Sequence, residues 1–189
     1  MKTDRRHFLA RASWLGAAAA LGQAGAALAQ PAGVSGTATA SSAAAEAKAP
    51  PLPEVGALLR LPHVTLFDGT VFQPAQADGR VLVIYWWSST CPFCALQSPE
   101  MQKLWQSQAA HGLQMLALSV DRTQQEAQTY LKKRGYTFPC GFVTPEVQRI
   151  MPKPRGLPVT LVRGRDGRVL QAEKGQLFPE DVEQLARWL

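Results

Sequence analysis

Residues 81–99 read VLVIYWWSSTCPFCALQSP, and this stretch decides the fold. Val81 to Trp87 is a continuous apolar run, rich in β-branched and aromatic residues and far too short to cross a membrane. Such a run predicts a strand buried on both faces at the centre of a sheet. A polar turn, Ser88-Ser89-Thr90, follows, and then Cys91-Pro92-Phe93-Cys94 opens a helix. Pro92 suits the first helical turn, where its missing N–H has no partner to lose. A sulfur at that helix start lies beside unpaired N–H groups and the positive end of the helix dipole, which favour thiolate over thiol. Cys94 comes about one turn later, within reach for a disulfide. Strand, turn and paired cysteines together predict a dithiol/disulfide exchange site.

Working outward, Val64–Phe67, Asp68-Gly69 and Thr70–Phe72 predict a β-hairpin on the turn signal. Pro92 to about Ala110 predicts a helix stopped by His111-Gly112, with Pro99 inside it removing one backbone bond. Leu113–Val120 is a second apolar strand. Asp121 to Arg134 is an amphipathic helix, capped by Asp121 or Thr123 and ended by Gly135. Phe138–Val143 predicts a strand and Pro145–Met151 a short helix. Val159–Arg163 and Val169–Lys174 form a hairpin about Arg165–Arg168, and Pro179–Leu189 a closing helix. Alternation in the first half requires a parallel sheet with helices on its faces, and the last hairpin adds antiparallel strands.

The amino terminus reads as an export signal over residues 1–29. Lys2, Arg5, Arg6 and Arg11 precede an Ala/Leu/Gly-rich segment, and Ala27-Leu28-Ala29 supplies a small-x-small cleavage site. Asp4-Arg5-Arg6-His7-Phe8-Leu9 resembles the twin-arginine signal that exports folded proteins. An ordinary secretory signal or an uncleaved anchor is the alternative. Residues 30–52 are Ala, Ser, Thr, Gly and Pro, too poor in large apolar side chains to offset their ordering entropy, and are expected to be a disordered linker. The folded domain then runs over residues 53–189.

The formal charge is +6. Five of the twenty Lys and Arg and two of the fourteen Asp and Glu lie at or before Pro51, leaving fifteen against twelve, scattered, in the rest. That argues against a nucleic-acid surface, which clusters its basic residues. Export also suits the cysteines, since disulfide chemistry needs a compartment outside the reducing cytosol. The third of them, Cys140, is left over and reads most simply as a small buried hydrophobe in a strand.

Over residues 53–189 the sequence resembles the TlpA/ResA-like family of exported thioredoxin-fold thiol–disulfide oxidoreductases. Trp87 matches the aromatic end of that family's active-site strand, Pro99 the proline of its active-site helix, and Gly156-Leu157-Pro158-Val159-Thr160 its cis-proline loop. The resemblance implies an α/β thioredoxin-like fold, a central mixed sheet flanked by helices, with Asp121–Val143 as an extra helix and strand before the cis-Pro loop. It implies Cys91 as the attacking and Cys94 as the resolving cysteine, and places Trp87, Pro92, Phe93, Leu157 and Pro158 against substrate. The activity implied is exchange of a Cys91–Cys94 disulfide with exported protein thiols in the periplasm, most often as a reductase recharged by a membrane electron donor. The protein is expected to act as a monomer without cofactor or metal.

Rival readings have less to stand on. Half a zinc site would want a second cysteine pair, and His63 and His111 stand at no ligand-like spacing. A copper site on this fold would want a histidine after the thiols, near the proline loop; His111 comes too early. A thiol oxidase or isomerase would use the same two cysteines. The Pro-x-x-x-Thr-x-x-Cys pattern of peroxiredoxin peroxidases is absent, and intact cysteines speak against a non-catalytic binding module. Two departures from the family stand out. Gln97 occupies the position of a buried Glu, and Tyr85 that of the buried Asp of thioredoxins proper, so neither site carries an acid titrating near neutrality.

Overall fold

The computed structural model describes residues 47–189; the export signal and residues 30–46 of the expected linker lie outside the described residues. The apolar run forms strand β3, Leu82–Trp87, with all six side chains buried. It is the middle of a five-stranded sheet ordered β5-β4-β3-β6-β7. Strands β4 (Gln114–Ser119) and β5 (Cys140–Phe142) run parallel to it, and β6 (Val159–Arg163) and β7 (Val169–Lys174) continue the sheet antiparallel. This is the mixed sheet of the thioredoxin-like fold. Helix α1, Pro92–Gln108, crosses from β3 to β4, and α2, Gln124–Arg134, from β4 to β5. The short helices α3, Pro145–Ile150, and α4, Pro179–Glu183, complete the flanks.

Strand alternation divides the core into two layers. Val83, Tyr85 and Trp87 pack on one face with Met101 and Leu104 of α1, Ala127 and Leu131 of α2, and Val182 and Leu185 near the carboxyl terminus. Leu82, Ile84 and Trp86 pack on the other with Val147 of α3 and with Val64 and Phe72 of the hairpin. A strand buried on both sides has no polar face to show, which is why its sequence does not alternate. The hairpin, β1 (Val64–Thr65) and β2 (Val71–Phe72), covers the β5 edge through Phe67 N–H to the Cys140 carbonyl at 2.8 Å. At the opposite edge, residues 56–59 run along β7, with Gly56 N–H donating to the Val169 carbonyl at 2.8 Å. The β5 edge is thus covered by the hairpin, and residues 56–59 pair with residues 167–169 where β7 begins, which shortens the open edges available for aggregation.

Two details differ from the sequence expectation, both at helix ends. The second helix begins at Gln124, not Asp121, because Thr123 makes the capping box with Glu126 and Asp121 is engaged elsewhere. The closing helix tightens after Glu183 into a 3-10 segment, Gln184–Trp188, where the Trp188 indole donates to Gln171 Oε1 on β7 at 3.0 Å. At the start, Leu52 packs against the second core layer and the Pro50 carbonyl accepts from Arg155 N–H at 3.1 Å.

Candidate active site

Cys91 is the N-cap of α1, with extended backbone (φ −83°, ψ 116°), and its sulfur accepts the Cys94 N–H at 3.2 Å. A cap acceptor is normally an oxygen; here the helix spends an otherwise orphan donor on the sulfur itself. Cys91 and Cys94 are joined as a disulfide, with Cα atoms 5.2 Å apart. The two are not equivalent. Cys91 is half-buried, whereas Cys94 is 1% exposed. Pro92 and Phe93 between them face solvent, and with Leu96 one turn on they make an apolar rim, Phe93 and Leu96 being more than half exposed.

Beneath the thiols the strand contributes support rather than contact surface. Tyr85 is fully buried; its hydroxyl lies 3.3 Å from the Cys94 carbonyl, to which it donates, and 3.0 Å from Ser98 Oγ. Burial pushes its phenol well above the ordinary tyrosine range, so it stays protonated. Trp87, expected to border substrate, has no exposed surface: its indole N–H donates to Cys140 Sγ at 3.3 Å. That expectation is corrected, because the strand's last residue points into the layer under α1 and α2. Cys140 is buried, and burial pushes its thiol far up. It sits as an inert partner of Trp87.

Gln97 is also fully buried and joins three elements. Its amide nitrogen donates to Thr160 Oγ1 on β6 at 2.9 Å, and its oxygen accepts the Leu177 N–H at 2.8 Å. These partners fix the orientation of the amide. The Leu157–Pro158 bond is cis, as the loop pattern predicts. Pro158 is buried and its carbonyl accepts Gly175 N–H at 2.9 Å, whereas Leu157 is half-buried and packs on the same core layer as Cys91. Lys153 steadies the approach to this loop by donating to the carbonyls of Pro154 and Gly156 at 2.8 and 3.0 Å.

One residue of the site is missed by sequence reasoning. Asp121, 7% exposed, is the sole buried carboxylate among the described residues. Its Oδ1 accepts from Ser88 Oγ (2.8 Å), Ser89 N–H (2.8 Å) and Ser89 Oγ (2.7 Å), and its Oδ2 from Ser119 Oγ (2.8 Å). The Ser88 carbonyl in turn accepts the Cys91 N–H at 3.2 Å. The available signal was three hydroxyl residues in the turn and an aspartate just past the neighbouring strand. A groove of about 680 Å³ lies elsewhere, lined by Phe67, Trp105, Tyr136 and Cys140 among others; neither Cys91 nor Cys94 borders it.

Fold and site thus define a thioredoxin-like fold that carries a paired-cysteine disulfide at the start of its first long helix. Residues 59–143, which include both paired cysteines, match the model of the AhpC/TSA family. Thiol-disulfide oxidoreductase ResA of Halalkalibacterium halodurans is 22% identical over 121 residues, a match covering 62% of this chain and 66% of that protein, just under two-thirds of its length. Among solved structures, a thiol:disulfide interchange protein of the thioredoxin family from Chlorobium tepidum superposes with a TM-score of 0.64 at 21% identity, covering 71% of this chain and 97% of that one. StoA from Bacillus subtilis gives 0.58 at 18% identity, covering 72% and 98%.

Proposed function

We propose that this protein works in the periplasm, exchanging its Cys91–Cys94 disulfide with thiols and disulfides of exported proteins, chiefly as a reductase. The observation that carries the reading is the asymmetry of the pair. One sulfur is reachable at a helix start and receives a backbone N–H; the other lies one turn deeper, out of solvent. An attacking thiol must be accessible and ionised, and a resolving thiol need only reach its neighbour.

In the reducing direction the Cys91 thiolate attacks one sulfur of a substrate disulfide. A mixed disulfide forms, and the other substrate sulfur leaves as a thiolate that takes up a proton. Cys94, losing its proton, attacks Cys91 Sγ; the mixed disulfide breaks and the second substrate sulfur leaves. The substrate gains two electrons and two protons, and the pair is oxidised. Pro92 and Phe93 supply apolar contact beside Cys91, and the backbone of Leu157 a strand-like edge for the substrate. A membrane electron donor would restore the dithiol. Gln97 cannot accept the Cys94 proton and Tyr85 stays protonated, so that proton passes to water. Oxidation or isomerisation of clients is the same path run with a different potential.

The test is a redox titration of the purified protein against glutathione and dithiothreitol, with Cys91→Ser and Cys94→Ser controls. A reversible intramolecular disulfide with a potential near that of thioredoxin, about −270 mV, supports the reductase. A potential near about −120 mV, that of the strongly oxidising periplasmic proteins, overturns the direction. Absence of a reversible disulfide overturns the exchange chemistry.

A further inference from the structure

We infer that Asp121 is the positioning residue of the reactive cysteine: it fastens the turn that delivers Cys91, and its charge biases the pair toward the disulfide. The inference rests on the exchange chemistry proposed for Cys91 and Cys94.

The geometry does two things at once. Three donors from Ser88 and Ser89 converge on one oxygen and Ser119 takes the other, so the carboxylate ties the end of β3 to the end of β4. The register makes this unavoidable: Trp87 pairs with Ser119, which places the residues that follow each strand side by side. Donors aimed at both oxygens suit the ionised carboxylate, an acceptor only. No salt bridge to Asp121 is present among the described residues, so four neutral donors, not a cation, balance its charge.

The second effect is electrostatic. Ser89 N–H touches the carboxylate, and two residues of chain span at most about 7 Å, so the charge lies within about 10 Å of the Cys91 backbone. Through an effective dielectric of about 20, a unit charge at that distance changes an ionisation equilibrium by roughly tenfold. The sign is fixed: a negative charge disfavours a second one, so it disfavours the thiolate. Destabilising the reduced form favours the disulfide and makes the pair more reducing. Other titratable groups around the turn do not duplicate this. Tyr85 from β3 and Cys140 from β5 are held neutral by burial. Cys94 from α1 is the partner thiol, Arg122 and Glu126 at the head of α2 are exposed, and Lys153 gives its ammonium to backbone carbonyls.

The experiment compares the full chain with Asp121→Asn and Asp121→Ala, measuring the dithiol/disulfide equilibrium against glutathione at pH 9 and pH 5. Asn keeps an acceptor for the turn and removes the charge. At pH 9 the thiolate predominates in both proteins, and the Asn variant should shift roughly tenfold toward the dithiol, about 30 mV more oxidising. At pH 5 both are thiols and the two should coincide. Asp121→Ala should also slow the attack of Cys91 on a model disulfide, because the turn loses its anchor. An unchanged equilibrium for Asp121→Asn at pH 9, or one shifted toward the disulfide, overturns the inference even where the Ala variant does not fold. Equal shifts at both pH values also overturn it, since a structural change alone would produce them. A wild-type chain with no reversible Cys91–Cys94 couple would instead remove the exchange chemistry, and this inference with it.

Discussion

Replacing Gln97 tests whether the site is held by two buried hydrogen bonds between distant elements. Gln97→Met keeps most of the volume and loses both bonds. The Leu177 N–H, now 2.8 Å from the amide oxygen, is left buried without an acceptor, whereas the Thr160 hydroxyl can rotate. A stranded buried donor costs about 1–3 kcal/mol, so the Met variant should lose about 2 kcal/mol, nearly all of it at Leu177. Gln97→Ala adds a void in a fully buried position and should lose about 4 kcal/mol. For a domain of this size that lowers the melting temperature by roughly 10 °C. Urea denaturation of the oxidised protein measures the loss, with the slope expected to stay constant. Amide hydrogen exchange should show Leu177 losing protection ahead of the core strands. A Met variant within about 0.5 kcal/mol of wild type, with Leu177 still protected, would refute the clamp. Gln97→Glu adds a pH test: burial should raise the carboxyl pKa above its unfolded value of about 4.3. The folded state then binds more protons than the unfolded, so stability should be intact at low pH and fall as pH rises above that value.

The other predictions concern single residues. Cys94→Ser should trap a mixed disulfide between Cys91 and an exported client, visible as a reductant-sensitive adduct on a non-reducing gel; Cys91→Ser should trap none. In the native oxidised protein Cys140 should resist iodoacetamide for hours and react once denatured, because its thiol is buried and held protonated; rapid native labelling would refute its inert role. Both Cys140 and Tyr85 have pKa values raised by burial, so the folded state keeps protons that the unfolded chain releases. Stability should therefore be full below about pH 8.5 and decline as pH rises past the unfolded values of about 8.5 and 10. A flat stability profile from pH 8 to 11 would contradict that burial. Finally, changing Arg5 and Arg6 to Lys should block export if the signal is of twin-arginine type, and a fractionation showing undiminished export would exclude it.

Much of the fold is written in local patterns. Val81–Trp87 could only be a central strand because no face of it is polar, and Asp68-Gly69 could only turn a hairpin. Helix ends were less legible, since a cap depends on which donors and acceptors are already taken. Asp121 has the chemistry of an N-cap, but Ser88, Ser89 and Ser119 claim its oxygens, and the cap falls to Thr123. At Trp86-Trp87 the alternation shows that the two rings face opposite ways. It does not show that helices cover both faces, so the expected contact of Trp87 with substrate fails.

The site divides along the same line. Its reacting part is local: Cys91 and Cys94 are three residues apart, and strand, turn and helix order suffices to place them. Its supporting part is not. Gln97 reaches Thr160 across 63 residues and Leu177 across 80, and Asp121 reaches Ser88 across 33. Those contacts depend on the register of β3 against β4 and β6, which no short window of sequence carries. Reading only the positions nearest the thiols, one finds Tyr85 and Gln97 where acids would stand and concludes that the pair lacks a neighbouring charge. The register shows otherwise. An aspartate brought in by the adjacent strand is buried against the turn before Cys91, on the opposite side of that cysteine in sequence from Gln97. Both oxygens of that carboxylate are taken up by donors from Ser88, Ser89 and Ser119, so it serves to hold the Ser88–Thr90 turn. The arrangement therefore separates two tasks that a single acid beside the resolving thiol could combine, and Asp121→Asn set against Gln97→Glu tests whether they are separable.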